Sequence, residues 1–208
     1  KRLITVLWIR FFYRLKRNKN NFFCYQIFML RFFNPLPEGA VLDMDGVLWR
    51  ADQPLCDLPQ LFADFKTNKI SVVLASNNAT INEKQFLEKL RLMGVELEPW
   101  QIISSAMAMV YLLKQNFPSG GPVYILGSPS LKAYLKESGY CHSETKPLAV
   151  IVGMDKEITY QKIDRASKLV RSGIPFYGTN PDLTYPTPDG LTPGAGTCIA
   201  AVEAAANI

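Results

Sequence analysis

From residue 39 onward, short apolar runs alternate with amphipathic helical stretches, a pattern that predicts an α/β fold with parallel strands. Residues 40–44 read as a buried strand. Leu58, Leu61, Phe62 and Phe65 then fall at i, i+3, i+4 and i+7, one apolar helix face, with Asp57 positioned to cap it. Residues 70–75 are almost continuously apolar, as expected of a strand covered on both faces. Thr80 followed by Glu83 forms a capping-box pattern, so a helix is expected from Thr80, carrying Phe86, Leu87, Leu90 and Met93 and stopping at Gly94. A strand over 101–104 and a helix over 106–114 make the next pair.

Five breaker or flexible residues follow, Pro118, Ser119, Gly120, Gly121 and Pro122, the strongest internal boundary in the chain. Beyond them the alternation resumes. Strands are expected over 123–126, 148–152 and 174–178, and helices over 131–137 and 159–171, stopped by Gly139 and Gly173. A second breaker-rich passage, 186–196, precedes an Ala-rich helical stretch. The two passages bracket a second α/β unit inserted into the first. The expected division is a tail over 1–34, a core over 35–116, an inserted unit over 117–192 and a return to the core over 193–208.

Composition agrees with a folded protein: 48% of the 208 residues are apolar and 20% charged, outside the disordered and collagen-like classes. No apolar run approaches the length of a membrane-spanning helix. The net charge of +5 is unevenly distributed. Residues 1–34 hold eight basic side chains, no acidic one and ten of the 24 aromatics, leaving 15 basic against 18 acidic residues, a net −3, in the remainder. Such a segment could grip nucleic acid through phosphates and stacked bases, or lie on an anionic membrane. The favoured expectation is that it is not native coding sequence, because the chain opens on Lys1 and Met29 stands just before the first stretch of ordinary globular composition. No nucleic-acid or membrane partner is therefore expected.

Cys24, Cys56, Cys141 and Cys198 match neither a metal-ligand spacing nor a compact disulfide framework, so reduced thiols and a cytoplasmic location are expected. The sole histidine, His142, sits in a polar stretch and reads as a surface residue. Mechanisms that need a histidine are disfavoured.

The chemistry concentrates at two strand ends. Asp43 and Asp45 stand two apart where the first strand exits, the end at which open α/β sheets bind ligands. In continued strand geometry they share a face and repel. A divalent cation relieves that repulsion, and Mg²⁺ is satisfied by one or two carboxylates together with water and phosphate oxygens. Asp43, nearer the strand, suits attack on phosphorus to give an aspartyl-phosphate; Asp45 suits proton exchange with the leaving oxygen and the hydrolytic water. Gly46 lets the backbone turn at once. At the second strand end, Ser76, Asn77, Asn78 and Thr80 offer hydroxyl, amide and backbone N–H groups to an anion. Ser76 lies 33 positions after Asp43, one strand-helix-strand step away.

Four ordered segments, Asp43 to Trp49, Ser76 to Asn78, Thr179-Asn180-Pro181-Asp182 and Pro193-Gly194-Ala195-Gly196, resemble the haloacid dehalogenase superfamily, in particular its class IIA phosphatases. That resemblance implies a Rossmann-like core carrying an inserted α/β cap of the C2 type. It implies Asp43 as nucleophile and Mg²⁺ ligand, Asp45 as acid/base and Mg²⁺ ligand through its carbonyl, and Ser76, Asn77 and Asn78 as phosphate-holding residues. Tyr185 aligns with a ring-bearing substrate contact, where pyridoxal phosphatases carry a histidine. The implied substrate is a small phosphorylated metabolite, and the implied assembly is a homodimer through the cap.

The family's Gly-Lys-Pro and Gly-Asp-Arg…Thr-Asp motifs are not found in this sequence. Lys146-Pro147 directly precedes an apolar strand of the insert, and Gly153-Met154-Asp155 lacks the acidic partner that should follow it. An incomplete core, and with it a catalytically weak or silent chain, is the alternative expectation.

Overall fold

The computed structural model describes residues 6–9, 37–50, 52–187 and 190–208. Expectations on the rest of segment 1–34, including its aromatic and basic side chains, and on Pro188 and Asp189 lie outside the described residues. Val6–Ile9 forms strand β1, running parallel to β2 (Gly39–Asp43) with Val6 opposite Gly39 and Ile9 opposite Leu42. Four residues of the expected tail over 1–34 thus form a strand of this sheet. Val-Leu-Trp-Ile is apolar enough to join a parallel sheet as a strand.

The chain divides into two compact units, one of residues 1–76 with 83–103, the other of 77–82 with 104–208. In the first, the sheet order is β1-β2-β5-β6, where β5 is Ser71–Ser76 and β6 is Ile102–Ser104. β5 lies parallel to β2. Between them in sequence come a two-residue pair, β3 (Trp49–Arg50) and antiparallel β4 (Gln53–Pro54), and helix α1 (Leu58–Thr67). Asp57 caps α1 as expected, its Oδ1 accepting the Gln60 N–H at 3.0 Å, and Leu58, Leu61 and Phe65 are buried. Helix α2 (Glu83–Leu92) buries Phe86 and Leu90 but starts three residues later than its sequence pattern predicts. The N–H and hydroxyl of Thr80 both donate to Asn78 Oδ1, at 2.8 and 2.6 Å, a local turn that outcompetes the capping box.

The second unit is an α/β/α sandwich around a sheet in the order β10-β9-β7-β8. Its strands are β7 (Gly121–Leu126), β8 (Tyr140–His142), β9 (Val150–Val152) and β10 (Phe176–Gly178), all parallel. Its helices are α3 (Ser105–Asn116), α4 (Pro129–Glu137), α5 (Tyr160–Arg171) and α6 (Ala195–Ala206). Side chains of β7 alternate between the two covering layers, as the pleat requires. Val123 and Ile125 pack with Met109, Leu113 and Leu131 of α3 and α4, while Tyr124 and Leu126 pack with Leu169 and Val202 of α5 and α6.

That packing moves a boundary. The breaker run 118–122 lies inside the second unit, because α3 shares a core with β7. The turn is also held there by the Tyr140 hydroxyl donating to Phe117 O at 2.8 Å and the Gly121 N–H donating to Gly139 O at 3.0 Å. An antiparallel hairpin that the sequence pattern did not foretell, β11 (Thr184–Thr187) and β12 (Gly190–Pro193), runs into the breaker-rich passage 186–196.

His142 is exposed at the surface, as its polar neighbours predict, and its ring is nevertheless held on one side. Its Nδ1 accepts the Ile125 N–H at 3.0 Å, and its ring lies against Tyr124. Burial first, and the Lys132 charge second, hold its pKa below the ordinary 6.5, with Glu144 opposing. The unfolded chain therefore takes up this proton at a higher pH than the native one, so the stabilisation is complete above pH 6.5 and is lost as pH falls toward the native value. The melting temperature is expected to decline more steeply below that pH than in a His142→Gln variant; equal slopes would refute the assignment.

Candidate active site

Asp43 is the last residue of β2, half-buried between Leu42 and Met44, which are 3% and 0% exposed. Its Oδ1 accepts the Met44 N–H at 2.8 Å, which fixes the carboxylate at the strand exit. The chain then turns. Gly46 takes φ +81°, and the Gly46 N–H donates to Trp49 O at 2.7 Å while the Leu48 N–H donates to Met44 O at 2.9 Å. Val47, Leu48 and Trp49 fold under the turn and are buried. Asp45 rides on its exposed side, and its Oδ1 accepts the Trp49 indole N–H at 2.9 Å.

The two carboxylates therefore do not share a strand face. The strand stops at Asp43, and each carboxylate has its own donor. Across the sheet, Asp43 is opposite Ala75, so Ser76, the buried last residue of β5, ends one position beyond that pairing. The expected juxtaposition of the two strand ends is present in the first unit.

Asn77 and Asn78 belong to the second unit and make contacts that the sequence pattern did not suggest. The Asn77 side-chain amide donates to the Asp182 carboxylate, and the Asn77 carbonyl accepts from Ser105 Oγ at 2.8 Å and Asn180 Nδ2 at 3.1 Å. Asn180 Oδ1 in turn accepts the Asp182 N–H at 2.7 Å. Asn78 Oδ1 holds Thr80, as described above. Tyr185 lies on β11 opposite Thr192 and is half-exposed. The Pro193 to Gly196 segment packs on the same 180–182 backbone, with the Gly196 N–H donating to Asp182 O at 2.9 Å and the Gly194 N–H to Leu183 O at 2.8 Å. Trp49, Ser105 and Asp182 were not marked as site residues; their partners lie across turns or far along the chain, where periodicity carries no signal.

Asp155, in the Gly153-Met154-Asp155 segment, is buried, with Oδ2 2.9 Å from Lys162 Nζ and Oδ1 accepting the Glu157 N–H at 2.9 Å. It is thereby committed to holding the start of α5.

A family model described as haloacid dehalogenase-like hydrolase matches residues 40–141. The chain belongs to this family. Among solved structures, a hypothetical protein from Pyrococcus horikoshii OT3 is 31% identical at a TM-score of 0.73, the match covering 82% of this chain and 68% of that one. A 4-nitrophenylphosphatase from Thermotoga maritima is 29% identical at a TM-score of 0.76, covering 82% and 65%. Acid sugar phosphatase of Staphylococcus aureus is 30% identical over 172 residues. That match covers 82% of this chain, which spans 66% of the length of the curated relative. The Rossmann-like haloacid dehalogenase core is thus present in both sequence and fold. No helix among the described residues is long and apolar enough to cross a membrane.

Proposed function

We propose that the protein hydrolyses phosphate monoesters of small metabolites through an aspartyl-phosphate on Asp43. The observation that supports this reading is the register of β2 and β5, which pairs Asp43 with Ala75, so that the two parallel strands end together, at Asp43 and at Ser76 one residue beyond that pair. The names of the relatives, nitrophenyl and acid sugar phosphatases, support it.

In the first step an Asp43 carboxylate oxygen attacks phosphorus, the ester P–O bond breaks, and the leaving oxygen takes a proton from Asp45. In the second, Asp45 takes a proton from water, the water oxygen attacks phosphorus, and the bond to Asp43 breaks. Asp45 ends protonated and ready for the next cycle. The Ser76 hydroxyl and the backbone N–H groups that follow β5 hold phosphate oxygens, and Asn77 and Asn78 shape that segment through the contacts above. Tyr185 is assigned to the leaving group.

Among the described residues no cluster of three or more His, Cys, Asp and Glu is arranged for a metal. Two hard oxygens, the Asp43 carboxylate and the Asp45 carbonyl, nevertheless fit Mg²⁺, which keeps several waters and accepts phosphate oxygens. When bound it would lower the repulsion between the attacking carboxylate and the phosphate. Phosphate release from 4-nitrophenyl phosphate is expected to fall by about a hundredfold or more on chelation and to return with added Mg²⁺. Turnover indifferent to chelator, or none in any condition, refutes the proposal.

A further inference from the structure

We infer that Trp49 is a positioning residue for Asp45, resting on the acid/base role assigned to Asp45 above. A proton donor must stay within about 2.6–3.2 Å of the oxygen it serves. Asp45 is exposed on a glycine turn, where a carboxylate ordinarily samples several rotamers. Here it is held by a donor that cannot itself move. Trp49 is 0% exposed, and its indole N–H reaches Asp45 Oδ1 at 2.9 Å. The indole nitrogen is a donor only, so it can neither take the proton nor compete for it. Occupying Oδ1 assigns proton exchange to Oδ2.

The ring is held in turn. Lys89 Nζ sits 4.9 Å from its centroid and 3.4 Å from Asp52 Oδ1, so a cation anchored by a carboxylate covers the indole face. A cation over the ring also withdraws electron density from the indole and strengthens its N–H as a donor. Backbone bonding reinforces the arrangement, since the Gly46 N–H donates to Trp49 O across the same turn. The sequence of contacts from Asp52 through Lys89 and Trp49 to Asp45 lies entirely within the first compact unit.

The test uses the full chain and two esters. Nitrophenolate departs without needing a proton, whereas the alkoxide of glycerol phosphate requires one. In Trp49→Phe, kcat/KM for glycerol phosphate, which reports the steps through departure of the alcohol and not the hydrolysis of the aspartyl-phosphate that both esters share, is expected to fall about tenfold or more beyond any fall in kcat/KM for 4-nitrophenyl phosphate. Asp45→Asn, which removes the proton donor itself, sets the upper limit of that ratio. Because both rates come from one preparation, a partly unfolded variant scales them together and leaves the ratio intact. Equal losses on the two esters assign Trp49 a packing role and overturn the inference, as does the absence of any loss. If the unaltered chain turns over neither ester, the phosphatase reading fails and the positioning role falls with it.

Discussion

Asp43→Asn is expected to lower phosphate release from 4-nitrophenyl phosphate by at least about a thousandfold while leaving the melting temperature within a few degrees of the unaltered chain. The substitution keeps the shape of the side chain and removes the anionic oxygen that attacks phosphorus. Its remaining amide oxygen can still accept the Met44 N–H that Oδ1 accepts at 2.8 Å, so the strand exit keeps its geometry. A loss of rate with retained stability isolates the nucleophile. Turnover undiminished by this change sinks the aspartyl-phosphate mechanism outright, because no other carboxylate stands at the end of β2: Asp45 rides on the turn that follows the strand and is bonded to Trp49. An intermediate loss of about tenfold would instead indicate a supporting electrostatic role.

Much of this site was legible in the sequence because strand exits obey local rules. The apolar run before Asp43 and the one before Ser76 needed only the pattern of a buried parallel strand, and their spacing of one strand-helix-strand step implied neighbouring ends. The arrangement of the two aspartates was less legible. The face-sharing argument assumed that extended backbone continues to Asp45, whereas it stops at Asp43 and the next residues bury Met44, Val47, Leu48 and Trp49 under a turn. Nothing in a periodicity of two marks where a strand gives way to such a turn, except Gly46.

Asn77 and Asn78 show the same limit at longer range. A run of small polar residues after a strand suggested a phosphate cradle, yet the Asn77 amide meets Asp182, 105 positions away, and Asn78 is occupied by its own turn with Thr80. A pairing across that separation leaves no trace in a single sequence. Domain division is hard to read from sequence for a related reason. Breaker density marks loops, and whether a loop is also a boundary depends on what packs around it: the α3 side chains Met109, Val110 and Leu113 share a cluster with Val123 and Ile125 on the far side of the breaker run.

The second large effect is expected from Gly196→Ala. In a helix, Gly to Ala ordinarily stabilises by up to about 1 kcal/mol, so the sign alone is diagnostic. Gly196 sits in the first turn of α6, where its N–H donates to Asp182 O. A Cβ there would run into the Pro181 carbonyl oxygen and lie 2.7 Å from the carbonyl carbons of Pro181 and Asp182. These are backbone atoms, so no side chain can swing aside, and either the helix start or the 181–182 segment must shift. Overpacking of this kind costs about 3 kcal/mol, which for a domain of this size lowers the melting temperature by roughly 6–12 °C. Gly39→Ala is the comparison, because its Cβ would meet only Ser71 O at 3.4 Å, an ordinary contact, and its expected change is under about 0.5 kcal/mol. The same displacement would strain the Thr197 hydroxyl bond to Leu183 O and the Asn77 bond to Asp182, which both depend on where this backbone lies. A stabilised Gly196→Ala chain would mean that α6 does not press on the 181–182 segment, and the account of the Pro-Gly-Ala-Gly segment as a close-packed seat for Asp182 would be wrong.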